Sequence, residues 1–279
     1  MLPTQRRQAI LAELRSATAV SAERLAREFG VSVETVRRDL RKLRDRGLLE
    51  RVYGGATQPD QPGQPGWPSR SSEGSFAARS VRHIEQKRAI ARLAASLAGP
   101  EDTIVIDIGT TALEVARALP ATFRGRVLTN SVPVAMELSA RDDVELLLCG
   151  GQVRPGDAAC AGAHAEAFFA EFYADKAFLG SGGVHPDAGL TDYYPAEVVV
   201  RRTIVAHSAS SYVLADSAKL GAIAVHRVCP LDRIAAVITD DAAHSGAADA
   251  LASAGVTLLR AGPVTRAQGR AQLTSVVNR

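Results

Sequence analysis

The chain has 279 residues, 46% hydrophobic and 23% charged, with a formal net charge of +3, an ordinary globular balance and enough length for two domains with cores of their own. No stretch approaches the roughly 18 uninterrupted apolar residues of a membrane span, charges interrupt the opening residues where a secretory apolar region would stand, and Cys149, Cys160 and Cys229 form no C-x-x-C pair. These features argue against a membrane helix, a signal peptide, a disulfide framework and a zinc site, and they lead to the expectation of a cytoplasmic protein with reduced thiols.

The charge is unevenly shared. Residues 1–56 hold twelve Lys and Arg against seven Asp and Glu, a net of +5, whereas the remaining 223 residues net −2. A polyanion would therefore bind the first fifth of the chain. There, Ile10, Leu11 and Leu14 give a first helix one apolar face, and Ser21 is placed to N-cap a second helix whose Leu25, Ala26 and Phe29 repeat the spacing. Gly30 supplies a left-handed stop, and Ser32 caps a third helix with Val36, Leu40 and Leu43 as its buried stripe. Two short amphipathic helices joined by a three-residue turn make a helix-turn-helix.

The outer face of the third helix carries Glu34, Thr35, Arg37, Arg38, Arg41, Lys42 and Arg44. In this motif the N-terminal part of the second helix reaches base edges in the major groove. Ser32, Thr35 and Arg38 are thus the candidates for base or adjacent phosphate contacts, Arg being suited to a bidentate bond with guanine or phosphate. Arg37, Arg41 and Arg44 are assigned to phosphate, which adds affinity and salt dependence without specificity. Gly47 ends the helix, and residues 48–53 followed by Gly54-Gly55 read as a hairpin wing that sets Arg51 and Tyr53 toward DNA. The plain alternative is a solvated basic helix in which Glu34 and Arg38 are an i, i+4 pair.

Residues 57–75 are rich in Pro, Gly, Gln and Ser and are read as a linker, because they cannot bury enough surface to offset their ordering entropy. From residue 76 to 279 apolar runs alternate with helical patterns. Strands are expected at 103–108, 127–129, 144–148, 177–179, 212–214 and 235–238, with a weaker candidate at 257–259; helices are expected at 86–97, 112–119 and 132–140. Continuous apolar strands between helices imply a mainly parallel sheet covered on both faces, an α/β domain.

Polar turns follow these strands. Asp107, Gly109, Thr110 and Thr111 lie at the C-terminal end of the first and the start of a helix; Asn130 follows the second, Gly150, Gly151 and Arg154 the third, Gly180 to Gly183 the fourth, and Asp216 and Lys219 the fifth. Ligands of open α/β sheets bind outside the carboxyl ends of the strands. Gly109 to Thr111, at a helix N-terminus, suit a phosphate. Lys219 and Arg154 would add positive charge, and Asp107, Asn130 and Asp216 would accept bonds from hydroxyls. Each has a plainer reading: a Thr-capped strand-to-helix turn, a local cap at Asp216, a solvated lysine at Lys219.

The segment from Val31 to Ala56 resembles the signature of the DeoR family of bacterial regulators, Ser-x-x-Thr-[Ile/Val]-Arg-Arg-Asp-Leu, then Gly-x-[Leu/Ile] and Arg-x-His-Gly-Gly-Ala. Ser32, Thr35 to Leu40, Gly47, Leu49, Arg51 and Gly54 to Ala56 match; Tyr53 stands where the family usually has His. Gln86-Lys87, Asp107 to Thr111, Thr129 to Ser131, Gly150-Gly151, Asp175 to Gly180, Gly189 to Thr191, Glu197 with Arg201, and Asp216 to Gly221 follow the order of the family's C-terminal domain. Arg201 stands where many members have Lys, and Ser181-Gly182-Gly183 departs from the commoner Ala-x-Gly. The resemblance implies a sensor fold similar to ribose-phosphate isomerases and CoA transferases, with a phosphorylated sugar or similar metabolite as inducer.

The expected function is a transcriptional regulator, a repressor of a carbohydrate-use operon, acting on double-stranded operator DNA as a homo-oligomer, with neither cofactor nor metal. Two alternatives stay open: a sugar-phosphate isomerase or deaminase with a DNA-binding appendage, using Asp107 and Asp216, or a DNA binder that ignores metabolites. Against catalysis, His185 and His207 are isolated loop histidines in the sequence, and an enzyme has no evident need of the DNA-reading unit.

Overall fold

The computed structural model describes residues 3–16, 19–44, 49–52, 55–57, 75–241 and 246–262. Its contacts divide the chain into two compact units, Met1–Gln64 and Pro65–Arg279.

The first unit holds α1 (Pro3–Ser16), β1 (Ala19–Ser21), α2 (Ala22–Phe29), α3 (Val33–Arg44), β2 (Glu50–Val52) and β3 (Gly55–Thr57). Ile10, Leu14, Leu25, Val36, Leu40 and Leu43 are all buried together, so the expected stripes of the three helices face one another. The Ser21 hydroxyl accepts the Arg24 N–H at 3.4 Å, Gly30 ends α2 at φ 63°, and the Ser32 hydroxyl accepts the Thr35 N–H at 3.2 Å. The wing is present as antiparallel β2 and β3, with Arg51 opposite Ala56. A third strand, β1, pairs with β3 and sets Val20 against Ala56. Three residues are too few to show a period-two pattern, so β1 has no mark in the sequence. Tyr53 and the rest of the wing tip lie outside the described residues, as do Gly47 and Leu48; of Arg51 the backbone alone is described.

The second unit begins with α4 (Phe76–Val81) and α5 (Ile84–Ser96), followed by β4 (Thr103–Ile106), α6 (Thr110–Ala118), β5 (Arg126–Thr129), α7 (Val132–Leu138) and β6 (Glu145–Leu148). Next come the hairpin β7 (Gln152–Arg154) and β8 (Ala159–Ala161), then α8 (Ala163–Ala170), β9 (Ala174–Leu179), β10 (Gly183–His185), β11 (Gly189–Asp192) and α9 (Pro195–Ala206). The unit closes with β12 (Ser208–Leu214), β13 (His226–Cys229), β14 (Ala236–Asp240), α10 (Gly246–Ser253) and β15 (Leu258–Ala261).

Seven strands form one sheet in the order β15-β14-β12-β9-β4-β5-β6, and every pairing within it is parallel. Both faces are covered, which is why the strands read as unbroken apolar runs. Ile104, Ile106 and Phe178 feed a core shared with α5 and α6, while Val105, Ala177 and Leu179 feed the opposite core with α8 and α9. The expected strands 177–179 and 212–214 are the apolar ends of longer ones. Their first halves, Ala174 to Lys176 and Ser208 to Ser211, are polar or small and carry no strand signal. Two small antiparallel sheets, β7-β8 and β10-β11-β13, were not expected either, being short and glycine-flanked. The strand order reverses between β4 and β9: β4 continues to β5 on one side, whereas beyond β9 the sheet runs to β12 on the other. Such a reversal opens a crevice at the strand ends.

Candidate functional site

The first candidate surface is the outer face of α3. Glu34, Arg37, Arg38, Arg41 and Lys42 are exposed, while Asp39, between Arg38 and Leu40, is buried. Asp39 accepts the Arg6 Nε–H at 2.6 Å and lies 3.7 Å from Arg7 Nε. This ion pair fastens α3 to α1 and thereby fixes which side of α3 faces outward. Glu34 pairs with Arg41 at 2.5 Å and Arg37 at 4.0 Å, not with Arg38 as an i, i+4 reading would have it. Ser32 and Thr35 share a hydroxyl contact of 2.9 Å at the start of the helix. Arg37 and Arg41 thus share the Glu34 carboxylate, whereas the described residues offer Arg38 none.

The second candidate is a cleft at the reversal of the sheet, between the turn after β4 and the turn after β9. Gly109 (φ 116°) caps α6 without a side-chain hydrogen bond, so no threonine caps this turn. The first amides of a helix have no intrahelical partner, and here the first residues, Thr110, Thr111 and Ala112, line the cleft. Lys219 lines the same cleft, and its Nζ donates to the Ser181 carbonyl, so it is held in place rather than solvated. Gly180 closes the opposite side; a Cβ there would stand 2.6 Å from the Ile108 carbonyl oxygen, so the two turns approach as closely as only glycine allows.

Beneath lies a buried ionic network. Arg201, on α9, is 3% exposed, and its Nε donates to Asp107 at 2.5 Å. Its Nη1 lies 2.6 Å from Asp192 and 3.9 Å from Glu197. The three carboxylates together offset the desolvation of the guanidinium and hold it protonated. Burial pushes the Glu197 carboxyl up to about 7, against the pull of Arg201 and with Asp192 adding to the rise. Glu197 also accepts from Arg154 Nε at 2.7 Å; Arg154 in turn bonds Asp157 at 2.8 Å and stacks over Tyr194 at 4.0 Å. Arg79, from α4, reaches the other oxygen of Asp157 at 2.6 Å.

Of the ten residues expected at this site, Gly109, Thr110, Thr111 and Lys219 line the cleft together. Asp107, expected at its surface, is fully buried below it: one oxygen is taken by the Gly180 N–H at 2.9 Å and by Arg201, and the other has no hydrogen-bond partner. Arg154 stands behind Asp157 and Glu197 rather than on the wall. Asp216 does not cap its turn; its Oδ2 lies 3.4 Å from His83 Nδ1. Asn130 is buried after β5 and donates to the Cys160 carbonyl at 3.2 Å. Gly150 and Gly151 form the turn into β7 and do not line the cleft. Sequence reasoning missed Arg79, Asp157, Asp192, Glu197 and Arg201 as wall residues. The i, i+4 spacing of Glu197 and Arg201 was a usable signal, but Arg79 and Asp157 sit in segments without periodicity. Among the described residues no group of His, Cys, Asp and Glu is arranged to hold a metal ion, and no helix is long and apolar enough to cross a membrane.

Comparison with known proteins agrees with both units. The profile of the DeoR-like helix-turn-helix domain matches residues 6–62, and that of the DeoR C terminal sensor domain matches residues 82–241, more than half of the chain. The chain is 34% identical to the HTH-type transcriptional regulator GlpR of Haloferax volcanii over 93% of this chain and 98% of that one. It is 32% identical to the glycerol-3-phosphate regulon repressor of Escherichia coli over 86% and 92%, and 33% identical to the repressor CsqR of the same organism over 80% and 82%. These relatives are named as regulators, not enzymes. Among solved structures, ribose 5-phosphate isomerase A of Methanocaldococcus jannaschii aligns with a TM-score of 0.35 at 18% identity, over 48% of this chain and 52% of that one, a likeness too partial to bear on chemistry.

Proposed function

Since the chain belongs to the DeoR family of transcriptional regulators, we propose that it represses a carbohydrate-use operon in the cytoplasm and leaves its operator when a phosphorylated sugar or similar metabolite fills the cleft. Residues 1–56 form the DNA-reading domain, 57–75 the linker, and 76–279 the sensing and oligomerising domain. Ser32, Thr35 and Arg38 contact bases or the adjacent backbone, Arg37 and Arg41 hold phosphates in exchange for Glu34, and Arg51 and Tyr53 act from the wing. In the cleft the amides of Thr110 and Thr111 and the ammonium of Lys219 take the phosphate, with Asp107 and Arg154 holding the wall behind them; Asn130, Gly150, Gly151 and Asp216 shape the neighbouring strand ends.

One observation carries the sensing half: the first residues of α6, without a side-chain cap, and a pinned lysine line one cleft where the sheet reverses. The name of the glycerol-3-phosphate regulon repressor, a relative over most of its length, supports a phosphorylated effector. For the effector to release DNA it must bind the DNA-free arrangement more tightly than the DNA-bound one. A thermal-shift screen of phosphosugars tests the reading, because any ligand of the folded state raises its melting temperature by mass action. Stabilisation by phosphorylated compounds and not by their unphosphorylated counterparts is expected. A flat response to the whole panel contradicts it, and turnover of any compound favours the enzyme alternative.

A further inference from the structure

The cleft takes one lining residue, Arg79, from α4, the six-residue helix that directly follows residues 57–75. None of its residues is fully buried. Its ties include one at the cleft, Arg79 Nη2 to Asp157 Oδ1 at 2.6 Å, and the Lys87 ammonium on the Arg79 carbonyl. At the junction with α5, His83 adopts a left-handed conformation (φ 53°), unusual for a residue with a Cβ, and its ring lies 3.4 Å from Asp216.

Asp157 is shared. Arg79 lies on one of its oxygens and Arg154 donates to the other at 2.8 Å. If Arg79 leaves, Asp157 keeps Arg154, so no buried carboxylate is stranded, the usual large cost of breaking such a pair. Arg201 has no such latitude, being bound by Asp107, Asp192 and Glu197. Arg79 and Lys219 are therefore the two cations on the cleft wall that a dianion can draw on, with the α6 amides beside them.

We propose that Arg79 is the moving jaw of the cleft: a phosphorylated effector draws its guanidinium from Asp157 onto the phosphate, and α4 shifts with it, so that occupancy is passed to the segment that leads to the DNA-reading domain. This rests on the anion site described above and adds to it the residue and helix that respond.

The test is hydrogen exchange on the full chain with inorganic phosphate, glycerol 3-phosphate, or glycerol as control. With either phosphate compound, wild-type amides at 76–83 change their exchange together with those at 110–112; glycerol moves neither. Arg79→Gln weakens phosphate binding by about tenfold or more, the loss of one charge-assisted contact. At saturating phosphate it retains the change at 110–112 and loses that at 76–83. Asp157→Asn, by removing the competing carboxylate, binds phosphate several-fold more tightly. Protection at 110–112 with 76–83 unmoved in the wild type overturns the jaw and leaves the anion site standing, as does weaker binding by Asp157→Asn. No response at either segment overturns both. The wild-type measurement needs no variant to fold.

Discussion

The cations of α3 and those of the cleft differ in what they are free to do. On α3, Arg37, Arg38, Arg41 and Lys42 lie on one helix, exposed, and among the described residues the carboxylate that pairs with Arg37 and Arg41 is Glu34, itself at the surface. At and behind the cleft wall, Arg201 and Arg154 come from elements far apart in sequence and are committed to protein carboxylates at 2.5 to 2.8 Å. An exposed arginine loses little on exchanging a weak surface partner for DNA phosphate, whereas a buried one supports a wall and can be replaced only at the expense of stability. The same residue type thus stands exposed on α3 and, at Arg201 and Arg154, serves as scaffolding in the second unit.

The largest expected effect breaks the scaffold. Arg201→Leu leaves Asp107, Asp192 and Glu197 without their shared cation and costs about 3–5 kcal/mol in the sensing unit. Urea unfolding followed by circular dichroism will show it, and a loss below about 1 kcal/mol would mean that the network is not structural. Arg201→Lys, the residue common in this family, keeps the charge but not the fork, and should fall between. Next, Arg38→Ala lowers affinity for the preferred DNA by about 1–3 kcal/mol without altering folding. Arg37→Ala and Arg41→Ala weaken preferred and random DNA alike and flatten the salt dependence by about one phosphate each. Unchanged binding of both DNAs by Arg38→Ala would remove it from the interface.

These two regions were legible in the sequence to different degrees, for a physical reason. The DNA-reading unit is made of local relations. Caps at Ser21 and Ser32, the left-handed Gly30 and the stripe Val36, Leu40, Leu43 all act within a few residues, so spacing alone reveals them. The cleft is made of distant ones. Gly109 to Thr111 and Lys219 were found because strand ends announce themselves, but nothing local says that Arg79 meets Asp157, or that Asp107 is turned inward to hold Arg201. The same limit hid β1, whose partner lies 36 residues further on.

Smaller effects sharpen the contrast. Ser32→Ala removes the hydroxyl that accepts the Thr35 N–H and costs about 1 kcal/mol of stability in the DNA-reading unit, measurable as a lowered melting temperature. The smallest concerns Glu197, whose carboxyl burial raises from 4.5 to about 7. A carboxyl raised on folding adds stability that is fully present below pH 4.5 and is lost as pH rises through about 7. Melting curves against pH should therefore show wild type losing ground to Glu197→Gln across that window and running parallel above it. Parallel curves throughout would place the Glu197 titration outside the window.

The account as a whole turns on whether the cleft governs the helix. DNA selected by the protein from a random-sequence pool, labelled and followed by fluorescence anisotropy while phosphosugars are added, measures this directly. The account predicts that a phosphorylated compound which stabilises the protein releases the DNA, that its unphosphorylated counterpart does not, and that Arg38→Ala never binds that DNA well. A compound that fills the cleft at saturation and leaves DNA affinity unchanged would contradict it.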